Sequence, residues 1–288
     1  MSRRTDRTAL ILVGGLVALA IAGPALAPYA PLEALDAQRL AWRPPSGAHP
    51  FGTDGFSRDV LSRFLAGARH TLGIALVAAG VALGLGTLVG LVAALAGGWR
   101  ETALMRLTDA LLAMPRLLVL LLVVTGTGAL RLDALALVLG ATGWMTTARL
   151  VRQETRRLLV TDALRGAVAL GVPPTRLVTH HLLPALAPTL AVAATGAFAG
   201  AVPLESGLSY LGLGVPTPLP SWGNLIAEAE GDLLTRWWVV VFPTAAIVGT
   251  VLLANLLAER ITADDDAASA PDDDKVTTPA APDDMPLP

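Results

Sequence analysis

Residues 71–98 read TLGIALVAAGVALGLGTLVGLVAALAGG and contain no charged side chain. An α-helix rises about 1.5 Å per residue, so roughly 20 apolar residues cross the ~30 Å hydrocarbon core of a bilayer. This stretch is long enough to cross as a single helix. The chain is therefore predicted to be an integral membrane protein, and further spans are expected on both sides of this one.

The overall composition supports a membrane protein and excludes several other classes. The 288 residues are 53% hydrophobic and 15% charged, and the mean hydropathy is +0.61, which is too apolar for an ordinary soluble domain. A formal net charge of −2 argues against nucleic-acid binding. Cysteine is absent, which excludes disulfides and thiolate metal sites. The four histidines have no cluster of carboxylates around them, so neither a metal nor a cofactor is predicted.

Six segments are apolar and long enough to span a bilayer. They are 8–28, 71–96, 107–127, 132–148, 186–204 and 237–257. Arginines concentrate between 149 and 157, next to the fourth span. Because cytoplasmic loops carry an excess of Arg and Lys, this cluster favours a topology with both termini in the cytoplasm.

The chain is not predicted to hydrolyse ATP. A phosphate-binding P-loop requires GxxxxGK[ST], and the only lysine is Lys275, in the segment from 262 that is rich in Asp, Pro and Ala. That acidic segment has too few apolar residues to form a core, so a disordered tail is expected there. If the protein's work needs ATP, another chain must supply the ATPase.

The segment 163–184, ALRGAVALGVPPTRLVTHHLLP, lies between two apolar spans and is basic and contains prolines. Leu164, Ala167, Val168 and Gly171 recur at helical spacing and predict a short helix. Gly171 suits the left-handed position that ends a helix, and Pro174 suits the first turn of another. The residues alone fit either a structured connection or a docking element for another protein.

Two outer segments have recognisable patterns. Ser57 is predicted to cap an amphipathic helix, lying at the outer interface, with its charges off the apolar face. The segment 208–229, LSYLGLGVPTPLPSWGNLIAEA, contains too many Gly and Pro to span. Since irregular backbone at membrane depth must be buried in protein or line water, this segment is expected to fold back at the outer mouth.

Several residues within the spans have more than one interpretation. A charge in hydrocarbon costs about 2.5–3.5 kcal/mol. Arg116 therefore either lines a solute path or lies at the cytoplasmic surface, and Glu205 fits the outer interface better than such a path. Small residues four apart, as in Gly80–Gly84, Gly86–Gly90 and Gly196–Gly200, allow close helix approach. Packing within the chain is favoured over a dimer face for these glycines.

Five motifs occur in an order that resembles the DppC/OppC-type permeases, which are inner-membrane subunits of ATP-binding-cassette (ABC) importers for dipeptides, oligopeptides, nickel and related solutes. They are FGTDGFSRDVLSRFLAGAR at 51–69, MRLTDALLAMP at 105–115, ALGVPPTRLVTHHLLP at 169–184, LSYLGLGVPTPLPSWGNLIAEA at 208–229 and WWVVVFPTAAIVGTVLLANLL at 237–257. The resemblance covers about residues 45–260. Ser57 stands where the family usually has glycine.

The resemblance implies an all-α, polytopic membrane protein with six transmembrane helices and the type I ABC importer permease fold. The implied organisation is a first segment and span at 1–28, a periplasmic loop at 29–66, the permease domain at 67–260 and an acidic tail at 261–288. A cytoplasmic coupling loop would occupy about 150–184.

The resemblance also implies partners and a docking site. The partners are a homologous DppB/OppB-type permease, two ABC ATPase subunits, an extracytoplasmic solute-binding protein and membrane lipid. The coupling loop would contact an ATPase through the family's EAAxxxG motif and downstream LP; its residues here are Leu164, Arg165, Gly166, Ala167, Val168, Gly171, His181 and Pro184. Arg165 replaces the usual glutamate and Gly166 the first alanine, so the contact made by that glutamate is not carried over.

Three alternatives remain open at this point. An importer of nickel or another small solute would share every motif above. An ion-driven secondary transporter would show inverted repeats, broken helices and a carboxylate relay at mid-membrane, and the sequence has no paired halves and no such relay. A membrane scaffold or sensor would need an appended signalling domain, and none is recognisable.

Overall fold

A computed structural model of the chain describes residues 15, 18, 20–35, 40–128, 130–231 and 234–269. Over these residues the regular structure is helical, apart from one isolated β-bridge between Thr53 and Asp59, so the all-α prediction is confirmed. After a 3-10 turn at Gly23–Leu26, the helices are α1 Val60–Ala96, α2 Gly98–Ala113, α3 Arg116–Thr127, α4 Leu132–Ala141, α5 Trp144–Leu159, α6 Asp162–Ala169, α7 Pro174–Leu177, α8 Leu183–Ala185, α9 Ala187–Tyr210, α10 Trp222–Glu228 and α11 Trp237–Ser269.

The helix α1 is longer than predicted and begins differently. Its N-cap is Asp59, whose Oδ2 accepts a hydrogen bond from the backbone N–H of Ser62 at 2.8 Å. The predicted cap at Ser57 and the separate interfacial helix are therefore wrong. No break separates residues 60–70 from the apolar run, because no proline interrupts them and a carboxylate satisfies the first turn.

Two of the predicted spans are bent. The axes of α2 and α3 differ by 82°, and those of α4 and α5 by 43°. At the sharper bend Met114 is extended (φ −80°, ψ 132°), because the ring of Pro115 disfavours helical backbone in the preceding residue. The predicted span at 107–127 is therefore not one continuous helix, and it counts as a span only together with the bend.

Three helices, α1, α9 and α11, are individually long and apolar enough to cross a membrane, and the described residues contain up to five spans if each bent pair counts as one. About half of the predicted first span, 8–28, lies outside the described residues. Six spans are thus not established. The chain nevertheless has several membrane-crossing helices, as the composition indicated.

The glycines of α1 show which helix faces pack within the chain. A Cβ added at Gly86 would lie 2.5 Å from Thr147 Cβ of α5, and one at Gly90 would lie 2.6 Å from the Ala148 carbonyl oxygen. Packing within the chain is therefore confirmed for this pair. For the other two pairs it stays a prediction, because a Cβ at any of their four glycines would meet no described atom within 4 Å; those glycines are Gly80, Gly84, Gly196 and Gly200.

The last helix extends further than the sequence suggested. α11 continues to Ser269, past residue 261, where the acidic tail was expected to begin. The added residues, TADDDAAS, include several alanines, which favour propagation of an existing helix. Residues 270–288, to which the rest of the tail prediction applies, lie outside the described residues.

Candidate functional site

The connection between α5 and α9 forms a compact helix–turn–helix, as the sequence predicted. α6 ends at a glycine turn in which Gly171 has φ 75°, and the backbone N–H of Val172 donates to the Ala167 carbonyl at 3.2 Å. This pattern closes the last turn of a helix through a left-handed residue. Pro174 then occupies the first position of α7, where its missing N–H costs no hydrogen bond.

This loop, residues 162–186, has its own apolar core, which fixes it to two long helices. Leu164 of α6 is buried in this core. The other buried members of the cluster are Leu91, Val151, Leu177, Leu182 and Leu186. Leu91 lies on α1 and Val151 on α5, so the loop packs directly against both helices.

The outer face of α6 is exposed and partly apolar. Leu170, the C-cap residue directly after α6, is 86% exposed, and Val168 is 55% exposed. Arg165 and Gly166 are also exposed beside them. Ala167, in contrast, packs against the loop's own core. The surface available to another protein is therefore the side formed by Arg165, Gly166, Val168 and Leu170, and not the side of Leu164 and Ala167.

A π-helical turn at Val178–Leu182 joins α7 to α8 and α9. The N–H of Leu183 donates to the Val178 carbonyl, which is the i→i+5 pattern of such a turn. His181 lies in this turn, and its Nδ1 is buried without a hydrogen-bond partner among the described residues. Pro184 follows and has no backbone N–H, which favours a shift away from regular α-helical pairing.

Ion pairs connect α2 to α5 beside this loop. Glu101 is buried and accepts hydrogen bonds from Arg152 Nε at 2.6 Å and Arg156 Nη2 at 2.7 Å. Asp109 accepts from Arg149 Nε at 3.0 Å in a more exposed position. Three members of the arginine cluster that predicted a cytoplasmic surface therefore also fasten the two helices together.

A second charged cluster, which the sequence did not predict, lies at the start of α1. Arg63 is buried and donates from Nη1 to Asp54 Oδ2 at 2.5 Å and from Nη2 to Glu228 Oε1 at 2.7 Å. Arg58 Nε also donates to Asp54, at 2.7 Å. The sequence feature that could have indicated this cluster is Glu228, because it is the one charged residue in the segment 208–229.

The Gly- and Pro-rich segment before α10 folds back onto α1. The Trp222 ring is fully buried and its Nε1 donates to the Phe64 carbonyl at 3.2 Å. The amide of Asn224 donates from Nδ2 to the carbonyls of Val215 at 2.9 Å and Leu219 at 3.1 Å. These bonds satisfy irregular backbone away from solvent, which is the condition that such a segment requires at membrane depth.

The two intramembrane charges occupy different environments. Glu205 is fully buried inside the subunit, where Oε1 accepts a hydrogen bond from Ser209 Oγ at 2.7 Å; its predicted position at the outer interface is therefore wrong. Arg116 is the first residue of α3 and donates from Nη2 to the Leu139 carbonyl at 2.6 Å. It lies at a cavity of about 160 Å³ beside the two helix bends.

Comparisons with known proteins agree with this architecture. Residues 86–263 match the family described as the binding-protein-dependent transport system inner membrane component. A protein of Brucella suis biovar 1, assigned to a peptide transport system as its permease, is 34% identical over 262 residues, which cover 90% of this chain and 86% of the relative. The oligopeptide transport system permease protein OppC of Mycobacterium tuberculosis H37Rv is 32% identical over 257 residues, 88% of each chain. The dipeptide transport system permease protein DppC of Alkalihalophilus pseudofirmus is 33% identical over 251 residues, 87% of this chain and 81% of the relative.

The long apolar helices define a multi-pass membrane protein. The chain belongs to the family of binding-protein-dependent transport system inner membrane components.

Proposed function

We propose that the chain is the non-catalytic permease subunit of an ABC importer that carries peptides. Three relatives at 32–34% identity are assigned to peptide, oligopeptide or dipeptide transport. A solute-binding protein would deliver the peptide from outside, and separate ATPase subunits would drive its passage. The alternative cargo is nickel or another small solute carried by the same machinery.

The observation that carries this proposal is the exposed face of α6 on a loop fixed to two spans. An exposed leucine and valine on a basic, structured loop form an apolar patch suited to a protein partner. We assign the ATPase contact to Arg165, Gly166, Val168 and Leu170. Leu164, Ala167, Gly171, His181 and Pro184 support that surface from within the loop.

The lever mechanism follows from the packing of the loop. When the ATPase subunits close, they displace α6. Leu164 packs in the same cluster as Leu91 of α1 and Val151 of α5, so the displacement reaches both helices. The spans then rock between inward-open and outward-open arrangements, because packed helices move as rigid bodies.

A second permease of similar fold is the proposed partner within the membrane. The glycine pairs Gly80–Gly84 and Gly196–Gly200 have open space beside them, and small residues let helix backbones from another chain approach closely. In this arrangement both termini and the loop at 162–186 face the cytoplasm. The segment that precedes α10 faces the binding protein.

Bent or broken helices, such as the two bent pairs here, also occur in ion-driven secondary transporters. The experiment that separates such a transporter from an ABC importer must therefore identify the energy source of uptake. Uptake of a radiolabelled dipeptide should be measured in cells that contain the whole system and in cells that lack only its ATPase subunits. The proposal predicts loss of uptake without the ATPases. Uptake that persists without them and is abolished by a proton uncoupler would establish a secondary transporter instead.

A further inference from the structure

Arg116 is held at the meeting point of both helix bends. It is the first residue after the bend between α2 and α3, and it contacts the end of α4, where the chain bends into α5. Its Nη2 donates to the Leu139 carbonyl at 2.6 Å, and its Nε reaches Thr142 Oγ1 at 3.4 Å. The guanidinium is thus oriented by neutral groups on another helix.

These contacts leave the positive charge uncompensated. Among the residues that the structure describes, no carboxylate lies within ion-pair distance of Arg116. A guanidinium has five N–H donors, so Nη1 and one N–H of Nη2 remain available after the two contacts above. Adjacent Nη donors are the arrangement that accepts a carboxylate through two parallel hydrogen bonds.

Arg116 borders a cavity of suitable chemistry. The cavity has a volume of about 160 Å³, and its lining includes Arg116. Other lining residues are Leu111, Met114, Val119, Thr142, Trp144 and Thr146. A mostly apolar wall with one oriented charge is the usual composition of a small-molecule site.

The position of Arg116 along α3 sets its distance from the connection between α3 and α4. Arg116 precedes Thr127 by eleven residues, so it lies about 16 Å along α3 from that end. Its contact Leu139 lies about 10 Å along α4 from Leu132. If the short connection between Thr127 and Leu132 lies at one face of the membrane and α3 runs along the bilayer normal, these distances bring Arg116 close to the middle of a ~30 Å hydrocarbon core.

We propose that Arg116 and this cavity form a binding site for the carboxylate of the transported solute. The inference rests on the proposed function, since a peptide with a free C-terminus carries such a group. Arg116 attracts the carboxylate of an entering solute, and the two bends place it between helices whose relative positions change in the proposed transport cycle. The backbone N–H groups at the N-terminus of α3 add a positive electrostatic potential, which favours an anion at the same point.

The first experiment measures uptake by the whole transporter in cells. Labelled L-alanyl-L-alanine is compared with its C-terminal amide in the wild type, Arg116→Gln and Arg116→Lys, with uptake normalised to the amount of subunit in the membrane. The amide nitrogen of Gln corresponds in position to Arg116 Nε, which reaches Thr142 Oγ1, so this variant removes the charge while keeping a hydrogen-bond donor beside α4. We expect the acid-to-amide ratio to fall about tenfold in Arg116→Gln, the loss of one charge-assisted hydrogen bond, and to fall less in Arg116→Lys.

Comparing the ratio among variants separates this site from the selectivity of the binding protein, because the same binding protein contributes the same factor to the ratio in every variant. If Arg116→Gln lowers uptake of the acid and the amide by the same factor, Arg116 has only a structural role and the proposal is overturned. If the wild type transports neither compound, the proposed peptide function fails.

A second measurement tests the proposed anion site independently of the identity of the transported solute. The chain has no cysteine, so Thr146→Cys, which lies in the cavity lining and is exposed, introduces a single thiol. A negatively charged methanethiosulfonate should label it faster than a positively charged one of similar size. Adding Arg116→Gln should lower that preference about tenfold. Absence of any preference in the Thr146→Cys protein, as expected if a lipid phosphate already neutralised the arginine, would contradict the proposal.

Discussion

Arg63 and Glu228 are separated by 165 positions, and Arg63 Nη2 donates a hydrogen bond to Glu228 Oε1 at 2.7 Å. Arg63 is on the first turns of α1, while Glu228 ends α10. Asp54 accepts a hydrogen bond from the same guanidinium. The cluster therefore joins the loop before α1 to the segment that folds back onto it.

Replacing Arg63 by Met should destabilise the protein. The change leaves the buried carboxylate of Asp54 with Arg58 as its remaining cationic partner, and breaking a buried pair costs about 3 kcal/mol or more. That loss corresponds to a fall of roughly 6 °C in Tm for a domain of this size. The measurement is thermal unfolding of the purified protein in detergent.

The matched control is Arg131→Met. Arg131 pairs with Asp133, and both side chains are largely exposed, so the change should cost no more than about 1 kcal/mol. Equal Tm values for Arg63→Met and the wild type would mean that the buried cluster contributes nothing to stability.

The burial of Arg63 shows why part of the structure could not be predicted from sequence. Hydropathy and helical periodicity depend on near neighbours, and they assigned this arginine to the polar face of an interfacial helix. Its partner Glu228 is brought close by the fold alone. The bend at Pro115 was missed for a related reason, since averaging hydropathy over a window hides the effect of one proline on the residue before it.

Ser57→Gly should stabilise the protein. Ser57 has φ 59°, a region that costs a non-glycine residue about 1 kcal/mol, and its buried Oγ has no hydrogen-bond partner among the described residues. Glycine removes both penalties, and Tm should rise by several degrees.

The variant Ser57→Ala separates the two causes of destabilisation at this residue, which are the backbone conformation and the unpaired hydroxyl. Alanine removes the hydroxyl and keeps the Cβ, so it should recover only the part due to the unpaired oxygen. If alanine stabilises the protein as much as glycine does, the backbone conformation at this residue carries no strain.

The topology predicts which side of the membrane each loop faces. Ala48 and Thr175 are both exposed, and the chain has no native cysteine. Ala48→Cys should react with a membrane-impermeant thiol reagent added outside intact cells, while Thr175→Cys should react only after the membrane is opened. The reverse pattern would invert the assigned orientation.

The loop at 162–186 is the part of the candidate site that local sequence rules predicted best. A glycine after an apolar helical repeat and a proline three residues later specify a turn that depends on few distant contacts. The structure has Gly171 at φ 75° and Pro174 at the start of α7. The direction in which Ala167 points was not predictable locally, because it depends on the loop's own core.

Gly171→Val should weaken coupling. A β-branched residue at positive φ costs about 1–3 kcal/mol, and the strain would change the angle between α6 and α7. Uptake should fall while the amount of protein in the membrane stays near normal. Gly171→Asn is the control, because asparagine tolerates the left-handed region. Equal loss of uptake in both variants would show that the side chain, and not the backbone angle, matters there.

Docking of an ATPase subunit on the exposed face of α6 is the central claim, and Leu170→Glu tests it most directly. Leu170 is 86% exposed in this chain and Leu234 is 90% exposed in a different loop, so Leu234→Glu is a matched control that leaves the α6 surface intact. In a formed complex Leu170→Glu would bury an unpaired carboxylate, and co-purification of the ATPase subunits should fall at least about tenfold, or 1.4 kcal/mol. Leu234→Glu should leave co-purification unchanged. Normal recovery of the ATPases with Leu170→Glu, or an equal loss with both variants, would contradict the account.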